Sequence, residues 1–338
     1  MLYPLARAAL FRLDAEQAHE LTLNLFRHFP KLATAPFNCA VTPDPVTLMG
    51  LKFPNRVGLS AGLDKNGECI EAWARLGFGF IEIGTVTPRP QPGNPRPRMF
   101  RLPRQQAIIN RLGFNNKGVD YLLARVRESR ASFSGVLGIN IGKNFDTPIE
   151  RAADDYLIGL RKAYVAADYI TVNISSPNTK NLRDLQDEER LDDLLRQLAQ
   201  ARAELAQRHG VQRPLLVKIA PDISQAQIVH IAAAALKHGI DGLIATNTTV
   251  TRPGLEREPL TVEQGGLSGA PLRELADGIL RKLRAATGPD FTLIGVGGIT
   301  RGEHARAKRE AGADLVQIFT GFIYRGPELV AECARALA

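Results

Sequence analysis

Cysteine is scarce in this chain of 338 residues: Cys39, Cys69 and Cys333 are an odd number and show no CxxC spacing. That argues for a reducing compartment and against a zinc site, and all three are expected as buried small apolar residues. No apolar run reaches the roughly 18 residues that a membrane span needs. The N-terminus also lacks a basic region followed by an apolar core and a cleavage site, so neither a spanning segment nor a secretory signal is expected. Basic residues interleaved with aromatics, the pattern of a nucleic-acid surface, are missing too. The arginine-rich run from Arg89 to Arg104 is punctuated by proline instead, and no nucleic-acid partner is expected.

What is present suits a large folded unit. Hydrophobic residues make up 44% of the chain, enough for one big domain or two ordinary ones. A formal charge of +8 and a pI near 9.6 fit an anionic substrate, cofactor or membrane face, and fit equally a protein that simply carries many arginines.

In chain order, residues 1 to about 32 read as two short amphipathic helices. Leu2, Leu5, Ala9 and Leu10 form one stripe; Leu21, Leu25 and Phe29 form the next, with Ala18 and Phe26 beside it. Asp14 with Gln17 reads as a capping box at the start of the second helix. Pro36, Pro43 and Pro45 punctuate a linker, so residues 1–45 are expected as a helical extension and residues 46–338 as the main domain. The extension is open to ordinary packing, a membrane-surface role or a ligand-tunnel role. After a hairpin-like piece from Val46 to Phe53, strand-length apolar runs alternate with helical patterns. Strands are expected near Arg56–Ser60, Phe80–Gly84, Val136–Ile141, Tyr169–Ile174, Leu215–Ala220, Gly242–Thr246, Thr292–Val296 and Leu315–Phe319. Helices such as Gly67–Leu76, Asp187–Gln207, Ser224–Lys237, Leu272–Ala286 and Glu328–Leu337 fit between them. Eight alternating units predict an α/β fold, a (β/α)8 TIM-type barrel with an N-terminal two-helix extension. No GxGxxG follows the first strand, which argues against a dinucleotide-binding domain.

In such a barrel the chemistry sits at the carboxyl ends of the strands. Those ends carry AGLDKNGE (61–68), INRLGFNN (109–116), INIGKN (139–144), NISSPNT (173–179), KIAPD (218–222), TNTT (246–249), GVGG (295–298) and FTG (319–321). The NISSPN stretch either displays Ser175 and Ser176 at a strand end or forms a polar turn capping the next helix. Gly297-Gly298 and Thr320-Gly321 lie where barrels hold phosphate on backbone N–H groups, or make tight turns. Lys218 ends an apolar strand and needs an anion in the barrel mouth or an ion pair with Asp222. Lys65 could neutralise a carboxylate substrate. Asn110, Asn173, Asn178 and Asn247 suit a planar ring with alternating C=O and N–H edges if they converge. No His, Cys or carboxylate pair stands in acid/base register at these ends, so no metal site is expected and a hydrolytic triad lacks its histidine.

Taken together these motifs closely resemble the class 2, quinone-dependent dihydroorotate dehydrogenase family, over about residues 1 to 330. The resemblance implies a flavin mononucleotide (FMN) barrel, one FMN per chain, that oxidises (S)-dihydroorotate to orotate and passes electrons to a membrane quinone in pyrimidine biosynthesis. Matched position by position, it implies flavin contacts from Ala61, Gly62, Leu63, Asp64, Lys65, Thr85, Asn140, Asn173, Lys218, Thr246, Gly269, Gly298, Phe319 and Thr320. Substrate contacts are implied for Lys65, Asn110, Arg111, Leu112, Gly113, Phe114, Asn173, Asn178, Asn247 and Thr248. Ser176 matches the base that takes the C5 proton while C6 gives hydride to flavin N5, and a serine rather than a cysteine there assigns the class. Phe319 stands where some relatives carry tyrosine. The N-terminal helices match the quinone entrance and a peripheral membrane contact on the cytoplasmic side of the cell membrane, with His19 and Arg101 lining the entrance. Two further readings are tRNA dihydrouridine synthase, which needs a cysteine at the barrel mouth, and a non-catalytic phosphate-binding scaffold.

Overall fold

All eight expected strands form, and they close into a single parallel barrel in a computed structural model that describes residues 2–338. The barrel strands are β1 (Val57–Leu59), β2 (Phe80–Val86), β3 (Val136–Ile141), β4 (Tyr169–Asn173), β5 (Leu215–Ile219), β6 (Gly242–Ala245), β7 (Thr292–Val296) and β8 (Leu315–Ile318). Each pairs with its neighbours in sequence order, and β8 pairs with β1 to close the ring. Strands buried on both faces read as continuous apolar runs, which is why their positions were legible. Helices Ile70–Arg75, Val119–Ser129, Ala152–Ala163, Glu188–His209, Gln225–Lys237, Arg273–Thr287 and Gly302–Glu310 cover the outside.

The bottom of the barrel is plugged by the antiparallel hairpin Val46–Leu48 and Leu51–Phe53. Phe53, Phe80, Tyr169, Leu216, Ile244 and Ile294 fill the interior there, each contributing about 2 kcal/mol of apolar burial. Two strand glycines make room for the rings. A Cβ at Gly58 would stand 2.3 Å from the Phe80 ring, and one at Gly138 would stand 2.2 Å from that of Tyr169. The top is roofed by an antiparallel sheet that the sequence reading left as loop. Met99–Leu102 pairs with Ala107–Asn110, which pairs in turn with Gly266–Gly269 from far along the chain.

The extension forms α1 (Tyr3–Leu10) and α2 (Ala15–His28), followed by the short helix Pro30–Thr34. Asp14 caps α2 by accepting from the N–H groups of Glu16 and Gln17; this is the forward half of the expected box. The two helices are fastened to the barrel by polar bonds. Tyr3 donates to the Ile323 carbonyl at 2.5 Å and Arg7 to that of Tyr324 at 2.8 Å. Deeper, Arg98 grips Glu16 with Nη2–Oε1 at 2.7 Å and Nε–Oε1 at 3.0 Å, and both side chains are buried. Cys69 and Cys333 are buried as expected, whereas Cys39 keeps partial exposure in the linker.

Candidate active site

The strand ends converge on a cleft of about 930 Å³, its open side included. Ser176 lies in its wall, 6% exposed. The turn after β4 folds back so that the Asn178 backbone N–H donates to Ser176 Oγ at 3.2 Å, which stabilises negative charge on that oxygen. The four asparagines do converge, in two pairs. Asn178 Nδ2 donates to Asn110 Oδ1 and Asn247 Nδ2 donates to Asn173 Oδ1, each at 3.4 Å. Asn173 also donates to Thr85 Oγ1 at 2.9 Å and accepts from the Ser175 N–H at 3.2 Å.

Two lysines flank these amides. Lys65 donates to the Gly62 carbonyl at 2.8 Å. Burial, reinforced by the Arg98 charge and opposed by Glu16 and Asp64, pulls its pKa down to about 8. Lys218, buried at the end of β5, donates to Ser60 Oγ at 3.1 Å. Burial depresses its pKa, with Glu82 opposing. The expected alternative, an ion pair of Lys218 with Asp222, does not form. Asp222 is held by Arg183 at 2.8 Å and by the Val250 N–H at 3.0 Å.

Of the residues matched to flavin contacts, Ala61, Gly62, Lys65, Thr85, Asn173, Lys218, Thr246, Gly269, Gly298, Phe319 and Thr320 line the cleft. Leu63, Asp64 and Asn140 do not. Leu63 faces a neighbouring apolar cavity. Asp64 turns away to accept from the N–H groups of Glu68 and Cys69 at 3.0 and 2.8 Å and from the Trp73 indole at 3.2 Å, so it braces the turn that leads into the following helix. Asn140 is wholly buried beneath the floor. Among the residues matched to substrate contacts, Arg111 alone is outside the cleft wall. Strand alternation turns Asn110 inward and its successor outward. Arg111 therefore pairs with Glu263 at 2.7 Å and lies over the Phe100 ring at 4.8 Å.

The cleft also takes residues that the sequence reading missed. Ser60 and Gln317 were findable as polar residues at the ends of apolar strands, the sign that marked Lys218. Ser268, bonded to Thr320 Oγ1 at 2.8 Å, sits on the unforeseen sheet. Most consequential is a residue outside the cleft wall, Glu82, a fully buried carboxylate inside β2. Its Oε1 accepts from Asn140 Nδ2 at 2.7 Å. Its Oε2 accepts from Tyr169 at 2.9 Å, Thr171 at 3.2 Å and Gln317 at 2.8 Å. None of the three cysteines lines the cleft.

Beside the cleft lies an apolar cavity of about 1560 Å³, opening included, between α1, α2 and the barrel. Its outer rim carries exposed Leu25, Phe29 and Leu32. Both His19 and Arg101 are in its wall. Burial, aided by the Lys65 charge, lowers the His19 pKa to about 3 and keeps the ring neutral. Arg101 donates to the Leu10 carbonyl at 3.2 Å and lies 4.5 Å over the Phe11 ring. Gly62 and Phe319 line both cavities. A Cβ at Gly62 would stand 3.1 Å from the Phe319 ring.

Comparison with known proteins gives a consistent result. A family profile described as dihydroorotate dehydrogenase matches residues 45–338. A protein of Aromatoleum aromaticum named dihydroorotate dehydrogenase (quinone) is 59% identical over 99% of this chain and 95% of its own length. One of the same name from an Azoarcus species is 58% identical over 100% and 99%. The crystal structure of DHODH in complex with ferulenol from Eimeria tenella superimposes with a TM-score of 0.87. It is 37% identical and covers 96% of this chain and 90% of that one.

Proposed function

This chain belongs to the dihydroorotate dehydrogenase family, and we propose that its cleft holds one FMN against (S)-dihydroorotate, with Ser176 as the base for the C5 proton. The reaction is the oxidation of dihydroorotate to orotate with quinone as acceptor, a step of pyrimidine biosynthesis. The observation that carries the site assignment is the convergence of the two asparagine pairs, Ser176 and Lys65 on one cleft.

The residues present fit a flavin. Lys218 is a buried ammonium whose hydrogen bond goes to a serine rather than a carboxylate, which suits a partner that gains negative charge. Gln317 Oε1 and Thr248 Oγ1 are buried at the cleft without a hydrogen-bond partner, and such atoms call for a polar ligand. The short helix Thr320–Arg325 leaves its first-turn N–H groups without intrahelical acceptors beside Gly297-Gly298, where a phosphate fits. Ala61, Gly62, Thr85, Thr246, Gly269, Gly298, Phe319 and Thr320 form the remaining wall for it. When bound, the flavin supplies the acceptor for the hydride that leaves C6.

The chain's own residues do the rest. Lys65 pairs with the substrate carboxylate, and Asn110, Asn173, Asn178 and Asn247 hold the ring edges with C5 toward Ser176. Leu112, Gly113, Phe114 and Thr248 close the wall around the ring. An isolated serine is a poor base, and the Asn178 N–H compensates by stabilising the charge that builds on Oγ. Thr179, buried close by in the chain, passes the proton on through water.

Residues 1–45 act as the quinone entrance, with His19 and Arg101 at the apolar cavity. The exposed Leu5, Leu25, Phe29 and Leu32 rest on the cytoplasmic face of the membrane as a peripheral contact. No helix among the described residues is long and apolar enough to cross it. Purified protein should be yellow and be bleached anaerobically by dihydroorotate, which a colourless scaffold would not be. Ser176→Ala should stay yellow and lose flavin reduction by several orders of magnitude; reduction at near wild-type rate would sink the assignment of the base.

A further inference from the structure

We infer that Glu82, which does not line the cleft, is a positioning residue that sets which way the ring-binding amides point; this rests on the cleft reading just given. An asparagine side chain is nearly symmetric in shape but opposite in polarity at its two ends. A row of asparagines joined to one another therefore has two senses, and groups that can only donate or only accept decide between them. Something must fix the direction, and a carboxylate does so because it accepts at both oxygens.

The bonds can be followed from that anion to the substrate. Glu82 Oε1 faces Asn140 at 2.7 Å, so Asn140 must present Nδ2 to it. That leaves Asn140 Oδ1 toward Thr85, whose hydroxyl must donate, at 2.6 Å. A hydroxyl has one proton, so Thr85 can now only accept from Asn173 Nδ2, at 2.9 Å. Asn173 Oδ1 is thereby turned to the Ser175 hydroxyl at 3.1 Å and to Asn247 Nδ2 at 3.4 Å, the same sense in which it accepts the Ser175 N–H at 3.2 Å. Asn247 is held in the matching sense because its Oδ1 accepts the Thr248 N–H at 2.8 Å. Counting groups already used, Asn173 keeps an N–H and Asn247 a lone pair for the cleft. This is a donor beside an acceptor, in an order that the buried anion sets together with the Ser175 and Thr248 N–H groups. Reversed, they would set donor against donor at the ring edge.

The division of labour at Glu82 makes the idea testable. Three donors converge on Oε2 and one on Oε1. In Glu82→Gln the amide oxygen stays with the three, and the NH2 faces Asn140, which must turn over. The reversal then runs through Thr85 to Asn173, where it also breaks the bond from the Ser175 N–H. The measurement is orotate affinity for the purified holoenzyme, followed by the shift in flavin absorbance, with flavin content and Tm recorded for each variant. E82Q should bind orotate roughly 10- to 100-fold more weakly, the effect of one or two misdirected hydrogen bonds. Adding Asn140→Asp should restore binding to within about threefold, because the carboxylate introduced there accepts from the new amide on one oxygen and from Thr85 on the other. In a Thr85→Val background, where the relay is already cut, E82Q should cost nothing further. Wild-type affinity in E82Q, no recovery in E82Q/N140D, or an undiminished effect of E82Q on top of T85V would each overturn the proposal. The last would show that the charge acts through space. Should E82Q not accumulate as folded protein, Asn140→Leu cuts the same relay one step on. It should weaken orotate to the same extent, and wild-type binding there would overturn the proposal. Wild-type holoenzyme that fails to bind orotate would instead refute the cleft reading itself.

Discussion

Removing one carboxylate should separate the two halves of the reaction. Glu16 on α2 is the partner of Arg98, and the side chains are 6% and 7% exposed. In Glu16→Ala the guanidinium stays buried without its anion, a situation that costs about 3–5 kcal/mol. Arg98 keeps bonds to the carbonyls of Pro92 and Asn94 at 2.7 and 2.8 Å, which places the cost near the lower end, about 3 kcal/mol. Most of it should fall on the seating of α2, because Glu16 ties that helix to the barrel. A loss of that size lowers the docked-to-undocked ratio about a hundredfold. Amide exchange across Ala15–His28 should rise accordingly, and turnover with quinone should fall while dihydroorotate still reduces the flavin. Glu16 also raises the Lys65 pKa, so its loss lets that pKa drop below about 8. The KM for dihydroorotate should then rise at pH 7.5 and recover at pH 6.5, whereas the quinone defect should not recover. Replacing both partners, as Glu16→Leu with Arg98→Met, should come close to wild-type seating. Unchanged exchange in α2 and unchanged quinone kinetics in Glu16→Ala would refute the reasoning.

Orotate binding should carry the signature of Lys65. A carboxylate pairs with the protonated form, so affinity should be level below pH 7.5 and weaken up to about tenfold per unit above a pH of about 8; a flat profile to pH 9.5 would exclude Lys65 as the carboxylate partner. Gly298→Ala should fold yet purify pale, because φ is +77° and a Cβ there would stand 2.4 Å from the Arg273 Cα, displacing the segment beside Leu272 in the cleft wall; flavin content per chain is the readout. Leu5→Asp with Leu32→Asp, at positions 70% and 74% exposed, should leave flavin reduction intact and cut binding to vesicles; retained sedimentation with vesicles would refute the membrane contact.

The barrel was legible because both faces of its strands are buried, so each strand announced itself as an apolar run closed by polar residues. The convergence of Asn110, Asn173, Asn178 and Asn247 followed once the strand ends were placed on one face. What escaped was direction. Arg111 and Asp64 lie in the right loops, but strand alternation turns one to Glu263 and the turn before the next helix claims the other. Neither outcome is local to the motif. The roof sheet was hidden because Gly266–Gly269 pairs with residues some 160 positions earlier, and no local pattern encodes a partner that distant. Glu82 was hidden differently. A lone acid in an apolar strand carries the same sign as Lys218, yet it points at the barrel axis beneath the cleft and shows nothing at a strand end.

The wall that Gly62 and Phe319 share between cleft and apolar cavity has a kinetic consequence. On the proposed assignment dihydroorotate enters the cleft and quinone the apolar cavity, and the two pockets meet at Gly62 and Phe319. Flavin reduction and reoxidation are then separate half-reactions, and with orotate released between them double-reciprocal plots for the pair should run parallel. A blocker lodged among the N-terminal helices should compete with quinone and leave the pre-steady-state reduction by dihydroorotate untouched.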